Sequence, residues 1–400
     1  MLLSDARDHW RRRTEELTRD LERFVRTESG SVDKANVDRA ADLFAGELTR
    51  RNFAPRIINN PRGGNHVAAT RAGSGRGAVV LLLHLDTVWP AGTYPPPLFR
   101  VSGDRAMGPG ILDMKASWAV AFAALDFLDG AGWAGPERLT VVATGDEELG
   151  SIHGRTVVEE HARNADAALV MEPGRADASL VGHRGAVGAL KVRITGRNSH
   201  ASSDDPGASA LIAAARMAAA IESASDRAAD RILNVGELHA GTARQVVPDK
   251  AELNIDLRAA TDSDASDLLR HVRQVLACPT VPGTSAELSG GITRPAYPGS
   301  LDQEPLQGIV RRCGAALGRD IRFASTRGGS DGNFTAALGI PTVDGLGADG
   351  GGICTADEYV DLPALPEKIA LLCGTLDALA GTGIFASPAA TATALQDTVA

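Results

Sequence analysis

The chain has 400 residues, of which 44% are apolar and 23% charged. This length exceeds one ordinary hydrophobic core, so we expect two domains in a globular protein with ample material for a buried interior. The formal net charge of −9 argues against a nucleic-acid-binding protein, which needs clustered lysine and arginine to neutralise phosphates.

The segment MLLSDARDHW has only a two-leucine apolar stretch before charged residues begin, so a secretory signal is not expected. No stretch of the chain approaches the length of a membrane span. Its four cysteines are spaced neither as a disulfide scaffold nor as a paired-cysteine zinc site. We therefore expect a cytoplasmic protein with reduced thiols, without membrane attachment and without a nucleic-acid partner.

The first part of the chain alternates helical and strand patterns. Helices are predicted at residues 5–28, 33–52 and 115–129. Strands are predicted at residues 56–58, 66–70, 78–85, 138–147 and 167–173. The segment AVVLLLHL is apolar on both faces, as in a central strand covered by helices on each side. The alternation predicts the α/β class, with a mixed open sheet flanked by helices.

From about Arg184 the pattern changes to half-buried strands, beginning with GALKVRITG at residues 188–196. The elements predicted next are a helix at 206–224, strands at 231–239 and 250–258, a helix at 263–276 and a strand near 284–289. This order predicts a ferredoxin-like α+β domain. After Arg294 the α/β pattern returns, with a helix at 303–317, a strand at 320–325, a Gly-rich segment at 327–333 and a helix at 366–380.

The simplest organisation is therefore a discontinuous domain with a second domain inserted into it. We expect the first domain to comprise residues 1–183 and 294–385, and the inserted domain residues 184–293. The tail, residues 386–400, is low in complexity, and we expect it to be disordered.

Acidic residues and a histidine follow the predicted strands or a glycine-rich turn. They are His84, Asp86, Asp113, Glu147, Glu148 and Glu172. Each alone is more often a capping or surface residue, but ligands bind beyond the carboxyl ends of strands in open α/β sheets. Several carboxylates brought together there favour a divalent metal, which offsets their charge. The spacing of two between His84 and Asp86 also suits a carboxylate that orients a ligand histidine.

Seven motifs occur in order along the chain: HLDTVWPAGT, GPGILDMK, TGDEELGS, MEP, NSHASSDDPG, GTARQVVPD and GGSDGNFTAALGIPTVDGLG. Together they resemble the two-zinc peptidase family that includes glutamate carboxypeptidase, acetylornithine deacetylase and succinyl-diaminopimelate desuccinylase. The likeness extends from about residue 15 to about residue 380 and is closest to the glutamate carboxypeptidase branch.

By position in these motifs, the resemblance implies two Zn2+ ions per subunit, with Co2+ or Mn2+ as alternatives. It implies that Asp113 bridges the two ions, that His84 and Glu172 complete one site, and that Glu148 belongs to the other. Glu147 would be the general base, which takes a proton from the bridging water and later delivers it to the leaving nitrogen. Asp86 would orient His84.

The resemblance also assigns His200, in the inserted domain. It implies that this histidine reaches across a dimer interface to polarise the scissile carbonyl in the partner subunit. A homodimer formed through residues 184–293 is therefore expected. The alternative for His200 is a capping residue before the helix at 206.

The remaining assignments concern the substrate. Arg294, in TRPAY, resembles the family residue that grips the terminal carboxylate of the substrate, which suits a bidentate guanidinium. Arg184 would add a second positive charge. Gln245 stands where asparagine is common in the family. Gly328 and Gly329 would let the main chain approach the substrate closely.

One position departs from the family pattern. A histidine would complete the second metal site in a segment like GGGAHTPDEYV, whereas this chain has GGGICTADEYV and places Cys354 there. No histidine follows His271. Cys354 either binds zinc as a thiolate, or leaves the second site weak or empty, or marks a chain in which hydrolysis has given way to another role. Cysteine is also a common small buried residue without any role.

We therefore predict a zinc-dependent metallopeptidase or amidohydrolase of the carboxypeptidase or deacylase type. Its substrate would be an N-acyl amino acid or a small peptide-like molecule with a free carboxylate. The alternative is a diverged family member that performs non-hydrolytic acyl transfer, amide formation or ligand binding. A pure scaffold protein gives no reason for so many carboxylates at strand ends.

Overall fold

The computed structural model describes residues 2–175, 177–278, 280–299 and 303–382. The chain forms two compact units. The first comprises Met1–Gly182, Gly299–Ala324 and Phe334–Ala400, and the second His183–Pro298 and Ser325–Asn333. The tail for which we predicted disorder, residues 386–400, lies outside the described residues.

Helices and strands alternate through most of the described chain. The helices are α1 (Leu2–Arg11), α2 (Thr14–Arg26), α3 (Lys34–Arg50), α4 (Ala116–Gly130), α5 (Gly154–Ala162), α6 (Ala210–Glu222), α7 (Asp262–Ala277), α8 (Glu304–Ala316), α9 (Gly332–Ala337) and α10 (Leu365–Thr382). Short helical turns occur at Ile111–Lys115, Glu147–Leu149 and Leu362–Ala364.

The strands are β1 (Ala54–Ile58), β2 (His66–Ala72), β3 (Ala78–His84), β4 (Arg100–Ser102), β5 (Arg105–Met107), β6 (Arg138–Thr144), β7 (Ala167–Val170), β8 (Leu180–Arg184), β9 (Ala186–Thr195), β10 (Ser199–His200), β11 (Arg231–Ala240), β12 (Val246–Val247), β13 (Lys250–Ala259), β14 (Ser285–Arg294), β15 (Phe323–Thr326), β16 (Thr342–Val343), β17 (Gly350–Gly351) and β18 (Tyr359–Asp361).

A six-stranded mixed sheet forms the centre of the first unit, in the order β1-β2-β6-β3-β7-β16. Strands β6, β3, β7 and β16 are parallel to one another, whereas β2 pairs antiparallel with both β6 and β1. The predicted fold class, an α/β protein with an open mixed sheet flanked by helices, is confirmed.

Strand β3 is buried along its whole length, as its continuous apolar sequence predicts. Leu81 and Leu83 belong to a core that also contains Phe44 and Trp118. Leu82 alternates with them and packs into a second core on the opposite face of the sheet. Because successive strand residues point to opposite faces, β3 is covered on both sides.

The predicted helix over residues 5–28 is wrong in one respect, because it is two helices. The helix is interrupted at Arg12 and Arg13, and Arg13 has a non-helical conformation with φ −122° and ψ 25°. Trp10 and Leu17 lie on either side of the break and are both buried in the same core. Their spacing of seven residues fits a continuous helix, so the apolar period contains no sign of the break.

A small antiparallel sheet in the order β17-β18-β5-β4 also belongs to the first unit. Gly350 pairs with Val360, and Gly351 pairs with Tyr359. The connection between these two strands, residues 352–358, is here called the β17–β18 loop and carries Cys354.

The second unit contains a four-stranded antiparallel sheet in the order β11-β13-β9-β14. Helices α6 and α7 pack on it through a core that includes Met217 and Leu268 from the helices and Val192 and Leu253 from the strands. Helix α6 was predicted to begin at residue 206 but begins at Ala210. The side chain of Ser209 caps it there by accepting from the main-chain N–H of Ile212.

Among the described residues, no helix is both long enough and apolar enough to span a membrane.

Candidate active site

The site in the first unit lies where three parallel strands end together. Strands β6, β3 and β7 are neighbours, so their carboxyl ends lie on one edge of the sheet. His84 is the last residue of β3, Glu147 opens the turn after β6, and Glu172 follows β7 by two residues.

Asp113 reaches this edge from the turn that precedes α4. The turn begins at Gly110, which has a φ of +62° that favours glycine. A Cβ at this position would also collide with the side chain of Thr87. Asp113 itself has non-helical dihedral angles, φ −114° and ψ 88°. The glycine is therefore required both by conformation and by the close packing of the turn.

Three side chains form a first group of candidate metal ligands: His84, Asp113 and Glu172. Nε2 of His84 lies 2.9 Å from Oδ1 of Asp113 and 3.9 Å from Oε1 of Glu172. One ligand atom from each residue lies within 4.8 Å of the others. The distances suit one small cation held by one imidazole and two carboxylates.

A second group comprises Asp113, Glu148 and Cys354, again with one ligand atom from each within 4.8 Å of the others. Sγ of Cys354 lies 3.9 Å from Oδ2 of Asp113. Asp113 thus directs one oxygen to each group. The sequence-predicted ligands of both sites are brought together, and Asp113 is the residue that the groups share.

The imidazole of His84 is oriented by the main chain. Nδ1 lies 2.9 Å from the carbonyl oxygen of Asp86. Because a carbonyl only accepts, Nδ1 carries the proton, and Nε2 is the nitrogen that faces Asp113. This is the arrangement that a ligand histidine requires.

The carboxylate of Asp86 does something other than the expected hydrogen bond to His84. Its Oδ1 lies 3.6 Å from Nδ1, beyond a good hydrogen bond. Instead, its two oxygens accept from the main-chain N–H groups of Glu147 and Glu148, each at 3.1 Å. Asp86 therefore fixes the turn that carries both glutamates.

The pKa of His84 reflects the surrounding carboxylates. Burial by itself lowers this pKa, but the hydrogen bond and charge of Asp113, with the charges of Glu172 and Glu147, hold it well above its usual range. The imidazole is thus surrounded by more negative charge than it can neutralise alone.

The acidic groups show the same excess of negative charge. Burial, followed by the charge of Asp113, raises the pKa of Glu148 to about 9 and also raises that of Glu172 well above its usual range. Burial and the charges of Glu148 and Asp113 raise the pKa of the Cys354 thiol to about 12. A divalent cation removes this mutual repulsion and favours the ionised forms, so the residues present fit a metal.

Glu358 was missed by the sequence analysis. It is fully buried, and its Oε1 accepts from the main-chain N–H groups of Leu112, at 2.7 Å, and Asp113, at 2.9 Å. Burial, partly offset by these donors, raises the pKa of Glu358 to about 7. The only sequence signal was an acid four residues after Cys354, which does not distinguish it from a surface residue.

In the second unit, His200 and Gln245 lie on neighbouring segments although 45 positions separate them. His200 pairs with Val246 between β10 and β12, and the main-chain N–H of Ala201 donates to the carbonyl of Gln245 at 2.9 Å. Both side chains are exposed. Nδ1 of His200 lies 2.8 Å from Oγ of Ser202.

The two predicted substrate-binding arginines are buried beside the Gly-rich segment of the same unit. Arg184 donates from Nη1 to the carbonyls of Gly328, at 3.0 Å, and Gly329, at 3.3 Å. Nη2 of Arg294 lies 3.6 Å from Oδ1 of Asp331. A Cβ at residue 329 would lie 2.6 Å from Cδ of Arg294, so the glycine makes room for this side chain. Arg184, Arg294, Gly328 and Gly329 thus form one cluster.

Comparison with known proteins links this geometry to a family. A sequence model described as peptidase family M20/M25/M40 matches residues 80–378. Carboxypeptidase G2 of Pseudomonas sp. (strain RS-16) is 29% identical over 363 residues, which cover 87% of this chain and 86% of that protein. Succinyl-diaminopimelate desuccinylase of Verminephrobacter eiseniae (strain EF01-2) is 32% identical over 280 residues, 65% of this chain and 68% of that protein.

The fold is also similar to solved structures. The crystal structure of a tripeptidase from Staphylococcus aureus subsp. aureus mu50 superposes with a TM-score of 0.78 at 20% sequence identity. The match covers 92% of this chain and 98% of that one. At this level of identity, the likeness supports the fold alone.

Proposed function

Because the chain belongs to peptidase family M20/M25/M40, whose members are metal-dependent and usually use zinc, we propose that this enzyme hydrolyses an amide bond. The substrate would be an N-acyl amino acid or a small peptide-like molecule with a free carboxylate. Family membership confirms the resemblance that the sequence motifs indicated. The names of the two relatives, a carboxypeptidase and a desuccinylase, support a hydrolase of this kind.

The observation that carries the proposal is the position of Asp113 between two groups of candidate ligands. His84, Asp113 and Glu172 would hold one zinc ion, and Asp113, Glu148 and Cys354 the other. Bound zinc ions would supply Lewis acidity and lower the pKa of a water molecule toward neutrality.

Glu147 is the residue proposed to move the proton. It lies in the turn that Asp86 fixes, next to the candidate ligand Glu148. It would accept a proton from the attacking water and deliver it to the nitrogen of the leaving amine. Both transfers require that its carboxylate be ionised at the start of the cycle and lie within hydrogen-bond reach of the water and the leaving nitrogen.

Cys354 is proposed to bind the second ion as a thiolate. Burial beside carboxylates raises the pKa of its thiol to about 12, so a cation is the natural source of the charge that would stabilise the thiolate. A thiolate donates more charge than an imidazole, so this site should be the weaker Lewis acid and the more easily oxidised. For the same reason, non-hydrolytic acyl transfer, amide formation or ligand binding remains the second candidate function.

The second unit is proposed to bind the rest of the substrate and to form a homodimer as an inserted lid domain. Arg294 would grip the free carboxylate, with Arg184 adding positive charge and with Gly328 and Gly329 allowing a close approach. His200 would polarise the scissile carbonyl in the partner subunit, with Gln245 beside it. A cytoplasmic location stays a prediction from the sequence.

The test is a hydrolysis screen with N-acyl amino acids and their carboxamide counterparts, using protein loaded with Zn2+, Co2+ or Mn2+. We expect release of the free amino acid, loss of activity on chelation and recovery on adding metal back. Glu147→Gln should lower kcat by about 100-fold or more, whereas Glu160→Gln, at an exposed position, should leave it unchanged. Metal-loaded protein that cleaves none of the substrates would contradict the proposal.

A further inference from the structure

Glu358 is brought to the metal-ligand turn by the small sheet of the first unit. Strand β18 pairs with β5, with Tyr359 opposite Met107. Glu358 immediately precedes β18, and Met107 immediately precedes the segment that leads to Gly110 and Asp113. The strand register therefore places Glu358 beside that turn, far from it in sequence.

The carboxylate of Glu358 contacts the main chain of the turn. Its Oε1 lies 2.7 Å from the nitrogen of Leu112 and 2.9 Å from the nitrogen of Asp113. Its Oε2 has no hydrogen-bond partner among the described residues, and the side chain is 0% exposed. Burying a carboxylate costs free energy, and two charge-assisted hydrogen bonds to one short stretch of main chain offset part of that cost here.

The β17–β18 loop that carries Glu358 is itself held by several hydrogen bonds. The N–H of Thr355 donates to the carbonyl of Gly352 at 2.9 Å, and that of Glu358 donates to the carbonyl of Thr355 at 3.1 Å. The hydroxyl of Tyr94 donates to the carbonyl of Ala356 at 2.9 Å. The main chain at Glu358 is thus held in place, and its side chain can in turn hold the Asp113 turn.

From these contacts we infer that Glu358 is a positioning residue, which aims the carboxylate of Asp113 between the two groups of metal ligands. The inference rests on the proposed function, because it concerns the residue proposed to bridge two ions. The two N–H donors bound to one oxygen belong to successive peptides, 111–112 and 112–113, so Glu358 fixes the main chain that leads into Asp113. A shift of that peptide moves both oxygens of Asp113, one away from His84 and the other away from Cys354.

One loop then controls both groups. The β17–β18 loop supplies Cys354 to the second group and holds, through Glu358, the residue that both groups share. Loss of the Glu358 acceptor should therefore weaken metal binding at both sites, and loss of Cys354 at one only.

The experiment measures Zn2+ affinity by competition with a chelator, at a temperature where every variant is folded. Glu358→Met keeps the length of the side chain but removes the acceptor, and its affinity should fall about 10- to 100-fold. Glu358→Gln keeps an oxygen for the two N–H groups, and its affinity should stay close to that of the wild type. If Glu358→Met does not fold, Glu358→Asp, which withdraws the carboxylate by one methylene, should show the same loss.

Glu47→Met is the matched control, because Glu47 is also a buried glutamate but contacts Arg23 and Arg51 and not the metal-ligand turn. It should lose stability and keep its Zn2+ affinity. Wild-type affinity in the folded Glu358→Met or Glu358→Asp variant would overturn the positioning role and leave the proposed function intact. A wild-type protein that binds no Zn2+ would overturn both.

Discussion

The carboxylate of Asp86 accepts a hydrogen bond from the main-chain N–H of Glu147, with 3.1 Å between Oδ1 and the nitrogen. Its second oxygen makes the same contact with Glu148. Asp86 therefore ties the end of β3 to the turn that carries the proposed base, while its main-chain carbonyl orients His84. Asp86 thus orients the ligand histidine through its main-chain carbonyl and holds the proposed base through its side-chain carboxylate.

Asp86→Ala should accordingly lower kcat about 10- to 100-fold and weaken metal binding in the Glu148 group, while the ion of the His84 group is kept, because the carboxylate holds the turn that carries both glutamates and the carbonyl that holds His84 remains. The measurement combines kcat with metal content. Asp166→Ala is a matched control, since Asp166 accepts from the main-chain N–H of Ala78 at the other end of β3. It should reduce stability and leave kcat unchanged. Loss of both ions in Asp86→Ala would instead favour the role as a histidine-orienting carboxylate that the sequence suggested.

Replacement of Cys354 tests whether its sulfur binds metal. Protein loaded with Co2+ should have a sulfur-to-metal charge-transfer band in the near ultraviolet, which Cys354→His should abolish while hydrolysis is preserved or increased. Cys278→Ser, at an exposed cysteine, should retain the band. A Co2+ protein without the band, or a Cys354→Ala variant that binds as much metal as the wild type, would exclude thiolate ligation.

Arg294 should matter only for substrates with a free carboxylate. Removing a charge-assisted hydrogen bond costs about 1.5–3 kcal/mol, so Arg294→Ala should lower kcat/KM about 10- to 100-fold. Arg294→Lys should recover only part of this loss, because lysine lacks the planar fork. Carboxamide substrates should be cleaved equally by wild type and variant. An equal loss on both kinds of substrate would show that Arg294 does not contact the carboxylate. The control is Arg193→Ala, at an exposed strand position.

Periodicity was sufficient to predict five of the six strands of the central sheet, all but β16, and most of the long helices of the first unit. The continuous apolar run of β3 predicted burial on both faces, because only a central strand tolerates apolar residues at every position. The break between α1 and α2 could not be predicted, since Trp10 and Leu17 keep the helical period across it. Helix α5 and the short strands β4, β5, β17 and β18 were also missed, because segments this short carry too few apolar residues to establish a period.

The candidate ligands were predictable because each follows a strand or a glycine turn in a recognisable motif. The contacts that hold them were not. Glu358 acts on Asp113 through main-chain atoms, and the two residues are adjacent only because β18 pairs with β5. Asp86 likewise acts through the N–H groups of a turn. Every residue except proline has a main-chain N–H, so contacts to these groups cannot be predicted from residue types and are seen only in the structure.

Glu47 offers a test of stability away from the site. Burial by itself raises its pKa, but hydrogen bonds and charges from Arg23 and Arg51 hold the pKa below its usual value. A carboxyl group with a lowered pKa in the folded state contributes stability above its unfolded-state pKa of about 4.3, and this stability is lost as the pH falls through the lower folded value.

Glu47→Gln should therefore lower the free energy of unfolding by about 1.5–3 kcal/mol at pH 7, measured by urea denaturation. The difference from wild type should shrink as the pH falls below about 4. Glu22→Gln, which removes an exposed ion pair with Arg26, should cost about 0.5 kcal/mol or less. A deficit that is the same at acidic and neutral pH would mean that the charge of Glu47 contributes nothing.

Metal stoichiometry after reconstitution with zinc tests the central claim most directly, which is that two ligand groups share Asp113. We predict two zinc ions per chain, one for each group of ligands, with one lost in Glu172→Gln and both weakened in Asp113→Asn. A wild-type chain that binds less than one ion, or an Asp113→Asn variant that keeps both at wild-type affinity, would contradict the account.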